Sequence, residues 1–105
     1  MKLAHEDRRR RLFEWPVAKR LEIKQTSVIG NHYHKLKTEL FVLTAGQAVL
    51  ERRWEDGAYQ EEEMQPGTEY MVPPGCWHRF LLSRDSVLLC LASEPHDPQD
   101  DHCDA

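Results

Sequence analysis

The stretch GNHYHKLKTELFVLTAG, from Gly30 to Gly46, decides how the rest of the sequence is interpreted. It opens with two histidines one residue apart, His32 and His34, and carries a carboxylate, Glu39, five residues further on. Behind the carboxylate the chain becomes apolar and rich in residues that favour β-strands. Imidazole and carboxylate groups both bind metals and both transfer protons, so the geometry that this spacing permits determines their chemistry.

His32 and His34 can share one ligand only if their segment is extended. In a helix, side chains two residues apart point to nearly opposite sides, whereas in a strand they project from the same face. The two positions are then about 6.7 Å apart along the backbone, and both rings can lean toward a metal about 2.1 Å from each nitrogen. The spacing therefore predicts a two-histidine clamp on a strand.

Glu39 lies seven positions after His32 and five after His34, and this odd spacing would place it on the opposite face of a straight strand. It joins them only if the chain bends in between, and the polar segment 35–38 permits such a bend. If Glu39 then points inward at the start of a strand, Phe41 and Leu43 do so as well. A surface ion pair with a nearby lysine is the alternative for this carboxylate.

A third histidine lies in the stretch GTEYMVPPGCWHRFLLS, from Gly67 to Ser83. Its Pro-Pro-Gly turn leads into a new strand, in which His78 shares a face with Phe80 and Leu82. Burying an unpaired polar group on an apolar face is costly. His78 is therefore predicted to be hydrogen-bonded in the core or to be a ligand.

Turn signals divide the chain from Leu21 to Ala92 at short and regular intervals. The runs between them are rich in Val, Leu, Phe, Tyr and Trp, and none is long enough for an amphipathic helix. This spacing predicts an all-β domain of antiparallel strands, a sandwich or a barrel. Asp56-Gly57 marks a tight hairpin, and the acidic run 60–64 is predicted to be a solvated edge strand.

Composition and charge are those of one soluble globular domain. The 105 residues carry a formal charge of −4, too modest to indicate a nucleic-acid partner, and the basic run 8–11 has acidic neighbours. No segment approaches the roughly 20 apolar residues of a membrane span, and the N-terminus lacks a signal-peptide core. Three cysteines, Cys76, Cys90 and Cys103, indicate free thiols in a reducing compartment, so a cytoplasmic location is expected.

Three segments are expected along the chain. Residues 1–20 form an N-terminal segment with an edge strand, residues 21–93 form the barrel, and residues 94–105 form a tail. The tail EPHDPQDDHCDA is acidic, has two prolines and contains almost nothing to bury. Disorder is predicted for it on this ground.

The two histidine stretches together resemble the paired motifs of the cupin superfamily. The first motif is matched by His32-x-His34, four residues, Glu39, six residues and Gly46. The second is matched by Gly67, five residues, Pro73-x-Gly75, two residues and His78. The resemblance covers most of the chain and implies an RmlC-like, single-domain antiparallel β-barrel, the double-stranded β-helix or jelly roll, of six to eight strands. Two positions depart from the motifs: Thr26 replaces the leading glycine of the first, and Leu82 replaces an asparagine that often ends the second.

The resemblance implies a metal site in the mouth of the barrel, formed by His32, His34, Glu39 and His78. Three imidazoles and one carboxylate suit a divalent transition metal (Mn, Fe, Co, Ni, Cu or Zn) better than Ca or Mg. Such a metal polarises a carbonyl or stabilises an enediolate, with His34 and His78 as the catalytic residues. The favoured interpretation is an enzyme, a metal-dependent isomerase or dioxygenase acting on a small sugar or carboxylate. A non-catalytic ligand-binding cupin remains an alternative.

The first stretch is also similar to the cupins that isomerise or epimerise nucleotide sugars for polysaccharide biosynthesis. In that branch an HxHK segment supplies a histidine acid–base group without a metal. His32 or His34 would then move a proton beside a keto group, with Lys35 and Arg79 contacting phosphate. These ketoisomerases commonly carry a neutral residue at the position of Glu39, and this difference favours the metal hypothesis.

Aromatic side chains are the candidate lining of the substrate pocket, although aromatics in a small barrel often belong to the core. The five candidates are Tyr33, Phe41, Tyr70, Trp77 and Phe80. Small cupins usually pair through their exposed sheets, so the resemblance implies a homodimer, with a small molecule as the ligand and neither nucleic acid nor membrane as a partner.

Overall fold

The computed structural model describes residues 2–15, 17–95 and 97–102. Ten β-strands and one 3₁₀ turn form in this part of the chain, and none of it is a helix long and apolar enough to cross a membrane. The strands are β1 (Lys2–Glu6), β2 (Arg10–Trp15), β3 (Ala18–Ile23), β4 (Ser27–His32), β5 (Glu39–Ala45), β6 (Ala48–Arg53), β7 (Tyr59–Glu63), β8 (Glu69–Val72), β9 (Trp77–Leu82) and β10 (Val87–Ala92). The 3₁₀ turn is Pro98–Asp100.

The strands form two sheets in which all the described strand pairs are antiparallel. Six strands make one sheet in the order β1-β2-β3-β10-β5-β8, and four make the other in the order β4-β9-β6-β7. Consecutive strands such as β4 and β5 lie in different sheets, so the chain crosses repeatedly from one sheet to the other. This is the organisation of a jelly roll, and the all-β antiparallel fold predicted from the sequence is confirmed.

The core lies between the two sheets and takes alternate residues from each strand. The inward rows are Glu39-Phe41-Leu43 in β5 and His78-Phe80-Leu82 in β9, and all six residues are buried. The apolar members of these rows each stabilise the fold by roughly 1.5–3 kcal/mol through burial. Because Glu39 and His78 belong to the same rows, the packing of the core carries both polar groups into the interior.

The N-terminal residues contain more strand than the single edge strand expected there. β1 and β2 form a hairpin, and β2 pairs with β3 along its whole length, which adds two strands to the six-stranded sheet. Leu12 in β2 packs against the core. Arg11 is paired with Glu6 at 2.7 Å and with Glu22 at 3.3 Å, so this part of the basic run is neutralised by acidic neighbours.

The predicted hairpin and edge strand are both confirmed. Gly57 adopts a φ of +90° in the connection of β6 to β7, and its N–H donates to the carbonyl of Trp54 at 2.9 Å. β7 is the outermost strand of the four-stranded sheet, and four of its five residues are exposed. Its acidic side chains discourage the addition of a further strand.

The C-terminal segment differs from the predicted disordered tail. Residues 97–102 include the 3₁₀ turn and lie against the β4–β5 connection, whereas residue 96 and residues 103–105 lie outside the described part. Asp100 is 5% exposed in this segment. Composition predicted disorder because these residues offer little apolar surface, but their carboxylates find hydrogen-bond donors in the barrel.

Candidate functional site

The four residues predicted as ligands converge inside the barrel. One ligand atom from each of His32, His34, Glu39 and His78 lies within 4.8 Å of all the others. The side chain of His32 is 25% exposed, whereas those of His34, Glu39 and His78 are 5%, 6% and 1% exposed. The site is therefore a buried cluster that reaches solvent on the side of His32.

Two irregularities of the backbone bring these side chains together. Gly30 and Asn31 both have positive φ, +90° and +63°, and the pairing of β4 with β9 shifts register between Gly30 and His32. A Cβ atom at Gly30 would lie 3.0 Å from the carbonyl oxygen of His78, so glycine allows the close approach of the two strands. The chain then bends between His34 and the start of β5, as the odd spacing to Glu39 requires.

Each of the three imidazoles has an oxygen acceptor at its Nδ1 atom. The contacts are His32 with the Asp101 carboxylate (2.9 Å), His34 with the Asp100 main-chain carbonyl (2.7 Å) and His78 with the Cys76 main-chain carbonyl (3.2 Å). Carbonyl oxygens only accept, so Nδ1 of His34 and of His78 carries a hydrogen, and the 2.9 Å contact with a carboxylate favours the same at His32. A neutral ring of this kind presents its lone pair at Nε2.

The Nε2 atoms of two of these rings face one oxygen of Glu39. His34 Nε2 lies 3.1 Å and His78 Nε2 lies 3.5 Å from Glu39 Oε1. This oxygen is buried and accepts no well-aligned hydrogen bond. Lone pairs on three neighbouring acceptor atoms repel one another unless a proton or a metal cation lies among them.

Of the three imidazoles, His34 is the one whose pKa is raised. Burial acts to lower the pKa of His34, but its contact with Glu39 and its hydrogen bond to the Asp100 carbonyl outweigh the effect of burial. Burial lowers the pKa of His78 to about 4 in spite of Glu39. Burial also lowers the pKa of His32, against the effect of Asp101. The environment therefore favours the protonated form at His34 and the neutral form at His32 and His78.

Two residues that the sequence did not single out for the site contact the second oxygen of Glu39. The thiol of Cys90 donates to Glu39 Oε2 over 3.2 Å, and Lys37 Nζ lies 3.8 Å from the same atom. Burial alone would raise the pKa of Glu39, but His34, His78 and Lys37 together lower it to about 2. Cys90 pairs with Phe41, and both side chains point inward. Strand alternation could therefore have indicated that the thiol lies near Glu39.

A cavity of about 280 Å³ adjoins the cluster. His32, Glu39 and His78 form part of its wall, with Phe41 and Phe80 as the aromatic lining, as predicted for these two side chains. Known ligand pockets range from about 300 to 1,000 Å³, so this space corresponds to a small ligand or to one part of a larger one.

The other three aromatic candidates lie away from this cavity. Tyr33 and Trp77 line a separate surface depression, and Tyr70 is buried, with its hydroxyl accepting from the N–H of Gln65 at 2.7 Å. Alternation explains two of these positions. Tyr33 lies between two inward histidines and Trp77 directly precedes one, so both side chains point to the opposite face.

The predicted phosphate contacts are also displaced from the cluster. Arg79 lies on the outer face of β9, where its Nη2 donates to both carboxylate oxygens of Glu51 at 2.8 Å. Lys35 is exposed and borders the same surface depression as Trp77. The cations that do line the cavity are Arg10 and Lys19, from the N-terminal strands.

The donor set fits a divalent transition metal. Three imidazole nitrogens and one carboxylate oxygen converge, and each imidazole has an oxygen beside its Nδ1 atom. In metal sites, such oxygens typically orient the histidines that bind the metal. The buried Glu39 Oε1 without a well-aligned donor is the position that a cation would satisfy. The same groups can also transfer protons when no metal is bound.

Comparison with known proteins identifies one matching family and several structures of similar fold. The family model described as FdtA, WxcM-like, C-terminal, matches residues 19–104. No curated protein is similar enough in sequence to match the chain significantly.

Among the solved structures that share this fold are those of CapF, QdtA and WlaRA. The capsular polysaccharide assembling protein CapF from Staphylococcus aureus is 23% identical with a TM-score of 0.74, over 95% of this chain and 31% of CapF. The sugar 3,4-ketoisomerase QdtA from Thermoanaerobacterium thermosaccharolyticum, in complex with TDP, is 21% identical with a TM-score of 0.71, over 88% of this chain and 69% of QdtA. The TDP-fucose-3,4-ketoisomerase WlaRA from Campylobacter jejuni is 16% identical with a TM-score of 0.74, over 89% of this chain and 68% of WlaRA. The chain thus spans about a third of CapF, and at these identities the likeness establishes the fold.

Proposed function

The chain belongs to the WxcM-like, C-terminal (FdtA) family of cupins, and we propose on this basis that it isomerises or epimerises a keto-sugar. The observation that carries the proposal is the convergence of three imidazoles and one carboxylate in a cluster, of which His32, Glu39 and His78 line a cavity. The occurrence of two sugar 3,4-ketoisomerases among the similar structures supports the same substrate class. A nucleotide-linked keto-sugar is therefore the first substrate to test.

Isomerisation beside a keto group requires one proton to be removed and one to be delivered. A base takes the proton from the carbon next to the carbonyl, and the electron pair of the broken C–H bond gives an enediolate with the keto oxygen. Proton delivery to the former carbonyl carbon, together with transfer of the neighbouring hydroxyl proton to the former keto oxygen, gives the isomer. Delivery to the original carbon from the other face gives the epimer. The oxidation of one carbon balances the reduction of its neighbour, so no external oxidant or reductant is needed.

The histidines offer the acid and the base for this reaction. His32 is the better-placed base, because it reaches the cavity and its Nδ1 is held by Asp101, which leaves a neutral Nε2 free. The raised pKa of His34 beside Glu39 favours this ring as the acid of the cluster, and His78, whose pKa is lowered to about 4 by burial, contributes a second imidazole to the wall. Acid–base sites typically contain pairs of titratable groups whose environments push their pKa values apart.

The charge of the cavity wall suits an anionic ligand. Arg10 and Lys19 both line it, and Glu39 is the single carboxylate among its described lining residues. Arg10 Nε is buried and has no hydrogen-bond partner in the described part of the chain. We therefore expect these cations to contact the phosphates of a nucleotide sugar. Arg10→Ala and Lys19→Ala should raise KM for such a substrate more than they lower kcat.

A second candidate is a metal-dependent form of the same reaction, favoured by the three inward Nε2 atoms and the unsatisfied Glu39 Oε1. His32, His34, Glu39 and His78 would hold the metal, which when bound would act as a Lewis acid toward the keto oxygen. The two hypotheses make opposite demands on these nitrogens, because a lone pair shared with a metal cannot accept a proton from substrate. Glu39 distinguishes them, since a carboxylate is a ligand for a metal and an unusual neighbour for a metal-free base.

Deuterium exchange tests both hypotheses in one experiment. The protein is incubated in D₂O with TDP-4-keto-6-deoxyglucose, the sugar bound in one solved QdtA complex, and ¹H NMR follows the carbons beside the keto group. Exchange that survives removal of metal by a chelator supports metal-free acid–base chemistry. Exchange that is lost with the metal, and restored by one of Mn, Fe, Co, Ni, Cu or Zn at one equivalent, supports the metal centre.

The control for nonspecific metal binding is His5→Ala, which removes an exposed histidine paired with Asp7 far from the cluster. Metal content should fall in His34→Ala with His78→Ala and remain unchanged in His5→Ala. No exchange and no calorimetric binding of the TDP-sugar with any of the six metals would overturn the proposal. Stabilisation by a ligand without turnover would instead indicate a binding module, and oxygen uptake by iron-loaded protein would indicate a dioxygenase.

A further inference from the structure

The segment 97–102, here called the C-terminal clasp, is tied to the loop that carries the paired histidines. Tyr33 and His102 form an antiparallel bridge, with Tyr33 N donating to His102 O at 2.9 Å and His102 N donating to Tyr33 O at 3.1 Å. The rings of the two residues stack with their centroids 5.1 Å apart. Within the clasp, Asp97 Oδ1 accepts from the N–H of Gln99 at 3.0 Å and caps the 3₁₀ turn.

Asp100 attaches the clasp to the ring of His34 and to the backbone of the two residues that follow it. Its carboxylate accepts the N–H of Lys35 at 2.8 Å and that of Leu36 at 3.2 Å, while its main-chain carbonyl accepts from His34 Nδ1 at 2.7 Å. Asp100 is 5% exposed, so its carboxylate has lost most of its contact with water. The hydrogen bonds to the protein compensate for that loss. The side chain holds the loop and the main chain orients the ring.

Asp101 extends the same arrangement to the next histidine. Its Oδ1 lies 2.9 Å from His32 Nδ1. Two consecutive residues of the clasp therefore contact the Nδ1 atoms of His32 and His34, whereas the acceptor for His78 is the carbonyl of Cys76, which lies two residues earlier, just before β9. The orientation of the HxH pair depends on a segment more than sixty residues distant in sequence.

We propose that Asp100 and Asp101 are positioning residues that keep a hydrogen on Nδ1 of His34 and His32 and so turn the opposite ring nitrogen, Nε2, toward the cluster. Neither aspartate lines the cavity, so they act through the histidines and not on a ligand. The consequence for catalysis or metal binding rests on the proposed function, but the control of tautomer and ring orientation does not. Acceptors of this kind typically alter metal affinity or activity by about 10–100-fold when removed.

The decisive measurement is the tautomeric state of the histidines in metal-free, ligand-free protein, observed by long-range ¹H–¹⁵N NMR with labelled histidine. In the full chain we expect His32 to show an unprotonated Nε2. Asp101→Ala should lose this preference, and Asp101→Asn, whose amide oxygen still accepts, should retain it. A chain truncated after His96 should lose this tautomeric preference at His32, and the ring of His34 should lose its fixed orientation.

Asp85→Asn is the matched control for Asp101→Asn, because it makes the same chemical change at an exposed turn between β9 and β10. A second readout is the affinity for Co²⁺, which we expect to fall about 10–100-fold in Asp101→Ala and in the truncated chain and to stay unchanged in Asp85→Asn. The circular dichroism spectrum of the truncated chain tests whether its barrel remains folded.

The failure of this inference is distinguishable from the failure of the proposed function. If the full chain binds no metal and exchanges no sugar proton, but the tautomers still change with Asp101→Ala, the clasp is established without the proposed chemistry. An Nε2–H tautomer of His32 in the full chain overturns the inference. So does an unchanged His32 tautomer in both Asp101→Ala and the truncated, folded chain.

Discussion

Glu39 carries the negative charge around which the three imidazoles gather. Burial alone would raise its pKa, but the contact with His34 and the charges of His78, His34 and Lys37 lower it from 4.5 to about 2. A carboxyl group whose pKa is lowered by folding stabilises the folded state at pH values above its ordinary pKa of 4.5. This stabilisation is lost as the pH falls from 4.5 to about 2. The full shift corresponds to about 3 kcal/mol.

In Glu39→Gln we expect the free energy of unfolding to depend less steeply on pH in this acidic range. Between about pH 5 and pH 3 the wild-type chain should lose about 2 kcal/mol more stability than the variant does. Urea unfolding at the two pH values measures the difference. Glu63→Gln, an exposed carboxylate on β7, is the control and should follow the wild type. Equal pH dependence in wild type and Glu39→Gln would contradict the role of the carboxylate.

The two described cysteines are predicted to be unreactive in the folded protein. Cys76 and Cys90 are 1% and 3% exposed, and burial raises the pKa of both thiols. Because the thiolate is the reactive form, both should resist a disulfide reagent at about pH 8. In Cys103→Ser, which removes the third cysteine, titration of the native protein should detect no fast thiol, and unfolding should release two. A fast thiol in that native variant would rule out the buried arrangement.

At the scale of strands and loops, the sequence predicted those features that follow from alternation. The inward rows of β5 and β9 follow from apolar residues at every second position, and the bend before Glu39 follows from its odd distance to His32. The convergence of the four site residues was accordingly predictable. The same rule places Tyr33 and Trp77 outside, although an aromatic side chain between histidines suggested a pocket.

The features that the sequence did not predict depend on partners distant in the chain. Asp100 is satisfied by the main-chain N–H groups of Lys35 and Leu36, and no local pattern near residue 100 indicates donors that far away. The N-terminal hairpin has few apolar residues, and Leu12 gains its burial only by packing on a core assembled from other strands. Tertiary packing therefore decides the structure of both ends of the barrel.

The turn between β5 and β6 depends on Gly46 for two reasons. Its φ is +86°, which side-chain-bearing residues rarely adopt, and a Cβ atom there would overlap the side chain and Cα of Ser86. Ser86 is fully buried, and its hydroxyl accepts from Gln47 N at 3.1 Å and donates to Gln47 O at 3.0 Å. Any side chain at position 46 would displace this hydrogen-bonded pair.

We expect Gly46→Ala to destabilise the protein by about 3 kcal/mol or more, because backbone strain and overlap add. Gly57→Ala is the matched control, since its φ is +90° but nothing lies within 4 Å of the added Cβ. It should cost only the strain of the left-handed conformation, about 1–2 kcal/mol. Thermal and urea unfolding of the two variants measure the difference, and equal losses would show that Ser86 yields to the added methyl group.

At the scale of the whole molecule, the outer face of the six-stranded sheet carries an apolar row across three strands. Leu40 of β5 lies between Met71 of β8 and Leu91 of β10 in the strand register. Met71 is 57% exposed and Leu91 is 51% exposed, which is unfavourable for large apolar side chains in a monomer. We therefore predict that two copies of the chain pair through this face.

Substituting Met71→Glu together with Leu91→Glu should separate such a dimer, because burying four carboxylates at a symmetric interface costs more than the apolar contact contributes. Light scattering after size exclusion should give twice the chain mass of 12.4 kDa for the wild type and 12.4 kDa for the double variant. Val28→Glu, which charges an exposed position on the four-stranded sheet, should remain dimeric. A monomeric wild type, or a dimer that persists in the double variant and dissociates in Val28→Glu, would contradict pairing through the six-stranded sheet.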